Sequence, residues 1–252
     1  MQIDDILNEI QQELIKKYSS VEELYKGMSL DEIFREFSKT QNKRNLDTFI
    51  KKGYLYSETN YHSPYSVSSI VGYVFYNFGG VIYMPSKDKL YKKYYPNAVI
   101  KLLIGSKLHE VVEDFIKDYG IFSVEKWVST HMGGDKIIGR IDVLLDDANT
   151  LNIIELKTSK KTNIDYAKMQ LAIYAHMYQK EYGEQKKINA IIISPAGIYK
   201  EILTKSKIDK YIEMFIKAKS ELKEFLVSKQ FMKREEKSYN VNTETIVKPK
   251  FW

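Results

Sequence analysis

Gly139-Arg140-Ile141-Asp142-Val143 and Ile153-Ile154-Glu155-Leu156-Lys157-Thr158 decide the fold. Both stretches are rich in β-branched and apolar residues, and Asp146-Asp147-Ala148-Asn149 between them favours a turn. Strands are expected over 136–145 and 151–158. Side chains alternate along a strand, so Glu155 and Lys157 share one face while Ile154 and Leu156 take the other. The hairpin brings Asp142 alongside. Two carboxylates and an ammonium then converge at the end of an apolar hairpin, where an unpaired buried charge is costly and two carboxylates repel. A divalent cation resolves both problems. Mg²⁺ and Mn²⁺ favour oxygen ligands, and the Leu156 carbonyl adds one more. Such a cation polarises a phosphate oxygen and acidifies water, with Lys157 placed to orient that water or offset charge on the phosphate. The plainer alternative is a structural ion-pair set on a half-exposed hairpin. Each residue taken singly fits that alternative; the three together on adjacent strands favour the metal.

Upstream, Val99 to Tyr119 reads as a helix ending at Gly120, with Gly105 and His109 on it. Phe122 to His131 reads as a strand, followed by a Gly133-Gly134-Asp135 turn. A neutral imidazole at His109 suits Mn²⁺ better than Mg²⁺. Downstream, Ile164 to Tyr182 reads as a helix. On it Gln170 and Tyr174 stand four residues apart and face the same way. They are candidates for substrate contact, Gln170 through hydrogen bonds and Tyr174 through stacking or its hydroxyl. Ile188 to Ser194 is a continuous apolar strand, and Ile198 to Leu203 is a further strand. Ser206 and Asp209 open a last helix with Ile208, Tyr211, Ile212, Phe215, Leu222, Phe225 and Leu226 on one face. Helix, three strands, helix and strand make an α/β arrangement around one mixed sheet.

The first fifty residues are helical in pattern. Ile3, Ile6, Leu7, Ile10 and Leu14 keep helical spacing, and Ser29 with Glu32 forms a capping box ahead of Ile33, Phe34 and Phe37. Asn45 to Lys52 reads as a short third helix stopped by Gly53. This region is expected to be a helical appendage. Ser66 to Phe78 reads as a helix with Ile70, Val71, Val74 and Phe78 inward, and 81–97 as a loop. The chain therefore divides into an N-terminal appendage (1–53), a connecting region (54–98), a catalytic core (99–204) and a C-terminal helix with tail (205–252).

The chain has 39 Lys plus Arg against 33 Asp plus Glu, and a net charge of +6 permits a polyanionic partner without requiring one. The first fifty residues lean acidic, which suits a protein partner. There is no cysteine, so thiolate nucleophiles and Cys-held zinc or iron–sulfur clusters are excluded. The amphipathic, acidic start is not a secretory signal, and no stretch approaches the roughly 20 apolar residues that span a bilayer. A soluble, cytoplasmic protein without a membrane partner is expected.

The ordered set Gly105-x-x-x-His109, Gly139-x-x-Asp142, Glu155-x-Lys157 and Gln170-x-x-x-Tyr174 resembles the RecB-like branch of the PD-(D/E)XK nucleases, including the CRISPR-associated RecB-like exonucleases. The resemblance covers roughly residues 60–200 and extends to Ser66-Val67-Ser68-Ser69-Ile70 with Tyr73. It implies a restriction-endonuclease-like α/β core: a mixed central sheet flanked by helices. It also implies metal ligation by His109, Asp142 and Glu155, a catalytic Lys157, and DNA as substrate, single strands or ends favoured. The alternative is a catalytically inactive nucleic-acid-binding or complex-assembly subunit, which the intact acid–acid–lysine set argues against.

Many of these relatives hold an iron–sulfur cluster with four cysteines. Here the upstream position falls at Tyr76 and the C-terminal tail offers none, leaving Phe251 and Trp252 as candidates to tie that region down. The purified protein is expected to be colourless, with iron at background in elemental analysis; stoichiometric iron contradicts this.

Overall fold

The computed structural model describes residues 2–25, 27–29, 32, 66–76, 96–183 and 186–238. The expected helix at 45–52, most of the loop at 81–97 and the Phe251–Trp252 tail lie outside the described residues. The elements are α1 (Ile3–Tyr25), α2 (Val67–Tyr76), α3 (Pro96–Lys117), β1 (Ser123–Met132), β2 (Asp135–Asp146), β3 (Thr150–Leu156), α4 (Ile164–Tyr182), β4 (Lys187–Ser194), β5 (Gly197–Leu203) and α5 (Lys205–Ser238). Helix α3 starts three residues before Val99, because Pro96 lacks an N–H and is pre-set for a first helical turn. The capping box forms: the Ser29 N–H donates to Glu32 Oε2 at 2.8 Å, and the Glu32 N–H to Ser29 Oγ at 3.3 Å.

The five strands lie in the order β1-β2-β3-β4-β5. Neighbours are antiparallel except β3 and β4, which run parallel. A parallel pair needs a crossover, and α4 supplies it. Its ends are well defined. The Asn163 side chain accepts from the Tyr166 N–H at 3.1 Å, and Gly183, at φ 72°, closes the C-terminus with its N–H on the Gln179 carbonyl. The register of Gln170 and Tyr174 over the sheet is fixed accordingly.

Each sheet face carries its own core. On one, Val67, Ile70 and Val71 of α2, the apolar side of α4, and Ile208, Phe215 and Leu222 of α5 pack on Ile141, Leu151, Ile153, Ile188 and Ile192. On the other, Ile6, Leu7, Ile10 and Leu14 of α1 join Val112 and Ile116 of α3 over Val143, Ile154, Leu156, Ile191 and Ile193. The N-terminal helix is present as expected and packs on α3 and β4. Helix α5 is tied to the β1–β2 turn by the buried Lys219 ammonium, which donates to the Met132 carbonyl, the Gly133 carbonyl (2.5 Å) and Asp135 Oδ2 (2.8 Å). Among the described residues no helix is long and apolar enough to cross a membrane.

The integration of α1 predicts that Ile10→Ala, which empties a fully buried site, lowers unfolding free energy by about 2–5 kcal/mol. Ile15→Ala, on the exposed side of the same helix, should stay within about 0.5 kcal/mol. Denaturant unfolding of both variants checks this, and equal small losses would mean that α1 is dispensable to the core.

Candidate active site

Strand β2 pairs with β1 from Asp135 to Leu144, but with β3 only from Val143 to Asp146. Beyond the Val143–Ile154 pair, β2 and β3 part. The Leu156 N–H therefore finds no backbone acceptor on β2, and Asp142 Oδ2 accepts from it at 2.9 Å. The carbonyl of the same residue accepts from His109 Nε2 at 2.8 Å. Asp142 and His109, from β2 and α3, thus meet at one residue of β3, with Glu155 and Lys157 on either side of it. Gly105 lets α3 come this close: a Cβ there would lie 2.9 Å from Thr158 Oγ1.

Asp142 also marks a change of phase. Ile141 packs on the α2/α4 face and Val143 on the α1/α3 face, though regular alternation would put both on one side. On β1 the same switch falls between Val124 and Val128. Glu125 lies between them at φ 53°, a left-handed conformation that costs an L-residue roughly 1–2 kcal/mol. Both strands thus change phase at the level of Asp142.

Glu155 is 4% exposed. Its Oε1 accepts from the Lys157 ammonium, while its Oε2 is buried with no hydrogen-bond partner. Lys157 also donates to Gln170 Oε1 at 3.4 Å, and the Gln170 amide donates to Ser68 Oγ at 3.3 Å and Tyr174 Oη at 3.2 Å. Gln170 is therefore a buried bracket between the lysine, α2 and Tyr174. Tyr174 itself is buried. Its ring is 2% exposed and lies on Gly139, where a Cβ would come within 2.6 Å of Tyr174 Cε1. Burial first, then the Glu155 and Asp142 charges, push its hydroxyl pKa up and keep it neutral.

Burial pushes the Glu155 carboxyl pKa upward, and the Asp142 charge adds to this against Lys157 and His109. Burial lowers the His109 pKa, but Asp142, the Glu113 hydrogen bond, and the Glu113 and Glu155 charges outweigh it and hold the imidazole at about 9. The ring then donates from both nitrogens, to Leu156 and, at 3.4 Å, to Glu113 Oε1. Among the described residues no three His, Asp or Glu side chains gather as a ready cation cage; each candidate ligand is instead engaged within the protein. The donor set nonetheless fits a divalent cation. It offers two carboxylates, a carbonyl, an orphaned carboxylate oxygen and, once the Nε2 proton has left, an imidazole whose far nitrogen is oriented by a carboxylate. Glu113 was missed in the sequence, where its only signal is the four-residue spacing from His109. Ser68 was visible within the upstream segment but carried no assigned role.

Residues 103–238 match the PD-(D/E)XK nuclease superfamily, and the chain belongs to it. It is a nuclease of restriction-endonuclease-like fold. No curated protein matches its sequence. Among solved structures, SSO0001 is similar at 20% identity and a TM-score of 0.42, over 76% of this chain and 87% of that one. A candidate exonuclease from Eubacterium rectale is similar at 15% identity and a TM-score of 0.35, over 67% and 68%. The assignment rests on the family match.

Gly139→Ala should force the Tyr174 ring aside, at a cost of about 1–3 kcal/mol. The effect should couple to Tyr174→Ala by more than about 0.5 kcal/mol in a double-mutant cycle of unfolding free energies. Strict additivity would show that this glycine makes room for something else.

Proposed function

We propose that the protein is a divalent-metal-dependent deoxyribonuclease that hydrolyses phosphodiester bonds, working as an exonuclease on single strands or DNA ends. The observation that carries this reading is Glu155 Oε2, a buried carboxylate oxygen without a partner beside a second carboxylate. Burying such an atom is unfavourable unless something binds it. Asp142, Glu155, the Leu156 carbonyl and His109 would hold Mg²⁺ or Mn²⁺, and the imidazole tilts the preference toward Mn²⁺. When bound, the cation supplies Lewis acidity to the phosphate and acidifies the attacking water. Glu113 keeps the His109 ring turned toward Leu156. Lys157 offers its ammonium to charge building on the phosphate, and Gln170 holds that ammonium on station. Ser68 and Tyr174 in turn hold Gln170.

The test pairs cleavage with metal binding. Wild-type protein should degrade linear single-stranded DNA with Mg²⁺ or Mn²⁺, leave a closed single-stranded circle intact, and stop in excess chelator. Lys157→Ala should cut about 10²–10³ times more slowly while titrating Mn²⁺ as wild type does, because lysine is not a ligand for this ion. Asp142→Ala and Glu155→Ala should lose the ion itself. Folded Lys157→Ala and Glu155→Ala variants cutting at wild-type rates would reduce these residues to a structural ion pair and end this assignment of the cleavage centre.

A further inference from the structure

Trp127 is 57% exposed, an unusual position for the largest side chain in a folded protein. The phase switch on β1 puts it there. Val124 faces α1 and α3. Had the strand continued regularly, Lys126 and Val128 would share that side and Trp127 would point toward α4. Instead Val128 enters the α2/α4 core and Lys126 lies over the Tyr182 ring of α4, so Trp127 faces the opposite side, that of α3 and His109. The strained backbone of Glu125 thus has a product: an indole turned from the core into water.

Its surroundings are suited to a polyanion. Arg140 is the cross-strand partner of Trp127, and its guanidinium lies over the indole, 5.9 Å from the ring centroid. On the same face the next pair but one is His131 with Lys136. Glu125 neutralises Arg140 at 2.8 Å, but both side chains are more than two-fifths exposed, and such a pair is weak enough to give way to a phosphate. Arg140 stands two residues before Asp142 on β2, so Trp127 is paired to the strand that carries this carboxylate.

We infer that Trp127 and Arg140 form a stacking platform for an unpaired base of single-stranded DNA, with Arg140 taking the adjoining phosphate, so that a strand crossing this face runs toward the open end of β2 and β3. Base stacking on an aromatic ring tolerates any base, whereas a fully paired duplex hides its base faces. The platform would make the enzyme prefer single strands through binding, and this inference rests on the nuclease reading above.

The chain has two tryptophans, Trp127 and Trp252, so a Trp252→Phe variant leaves Trp127 as sole reporter. With chelator present to prevent cutting, oligothymidylate should quench its emission saturably, and a blunt duplex of equal length should not. In the wild-type background Trp127→Ala should weaken oligothymidylate binding about tenfold or more, Trp127→Phe should restore most of it, and the melting temperature should hold. Emission unmoved by saturating oligothymidylate, or wild-type affinity in Trp127→Ala, overturns the platform. Quenching without metal-dependent cleavage by the wild type would instead sink the nuclease reading and leave the platform standing; cleavage without quenching does the reverse.

Discussion

Leu156 stands where β2 leaves β3, and both halves of its backbone are claimed by side chains rather than by that neighbouring strand. Its N–H goes to Asp142 and its carbonyl accepts from His109. A buried peptide group must be satisfied, so the divergence of two strands and the arrival of two site residues are one event. Helix α3 must lie close enough to deliver His109, which requires Gly105 against Thr158. Strand β2 must stop pairing at Val143, which frees Asp142. With Leu156 fixed on the α1/α3 core and Glu155 turned to the other face, the two carboxylates are held near each other whatever the surface does.

The electrostatic consequence is a cluster the fold does not settle by itself. Asp142, Glu155 and Glu113 surround His109, Lys157 pairs with Glu155, and the site responds by drawing the Glu155 and His109 pKa values upward and by leaving one Glu155 oxygen without a donor. Stability alone would favour an apolar strand end here. The left-handed backbone at Glu125 is a second local cost. Both lie at the same level of the sheet, where the two-residue alternation of β1 and β2 changes phase.

Much of this was legible in the sequence because it depends on short periodicities. Alternation placed Glu155 and Lys157 together, and the ordered Gly-His, Gly-Asp, Glu-Lys and Gln-Tyr motifs brought the correct superfamily. The limits were set by long-range packing. Tyr174 shares a helix face with Gln170 as its spacing demands, but spacing does not tell whether that face meets solvent or Gly139. Which sheet face α1 covers is likewise set by packing that no local pattern records. The phase switch at Asp142 was hidden because Ile141, Val143 and Leu144 are all apolar, so either face reads as core.

What remains to be seen directly is a divalent cation held by Asp142, Glu155 and the Leu156 carbonyl. Crystals grown with Mn²⁺ and an uncleavable oligonucleotide test it most directly through anomalous scattering at the manganese edge. A cation at this site should give a strong peak within about 2.3 Å of a Glu155 carboxylate oxygen and of the Leu156 carbonyl oxygen, with Asp142 in the same shell. Crystals of protein with DNA bound, full Mn²⁺ in the medium and no peak beside Leu156 would contradict it.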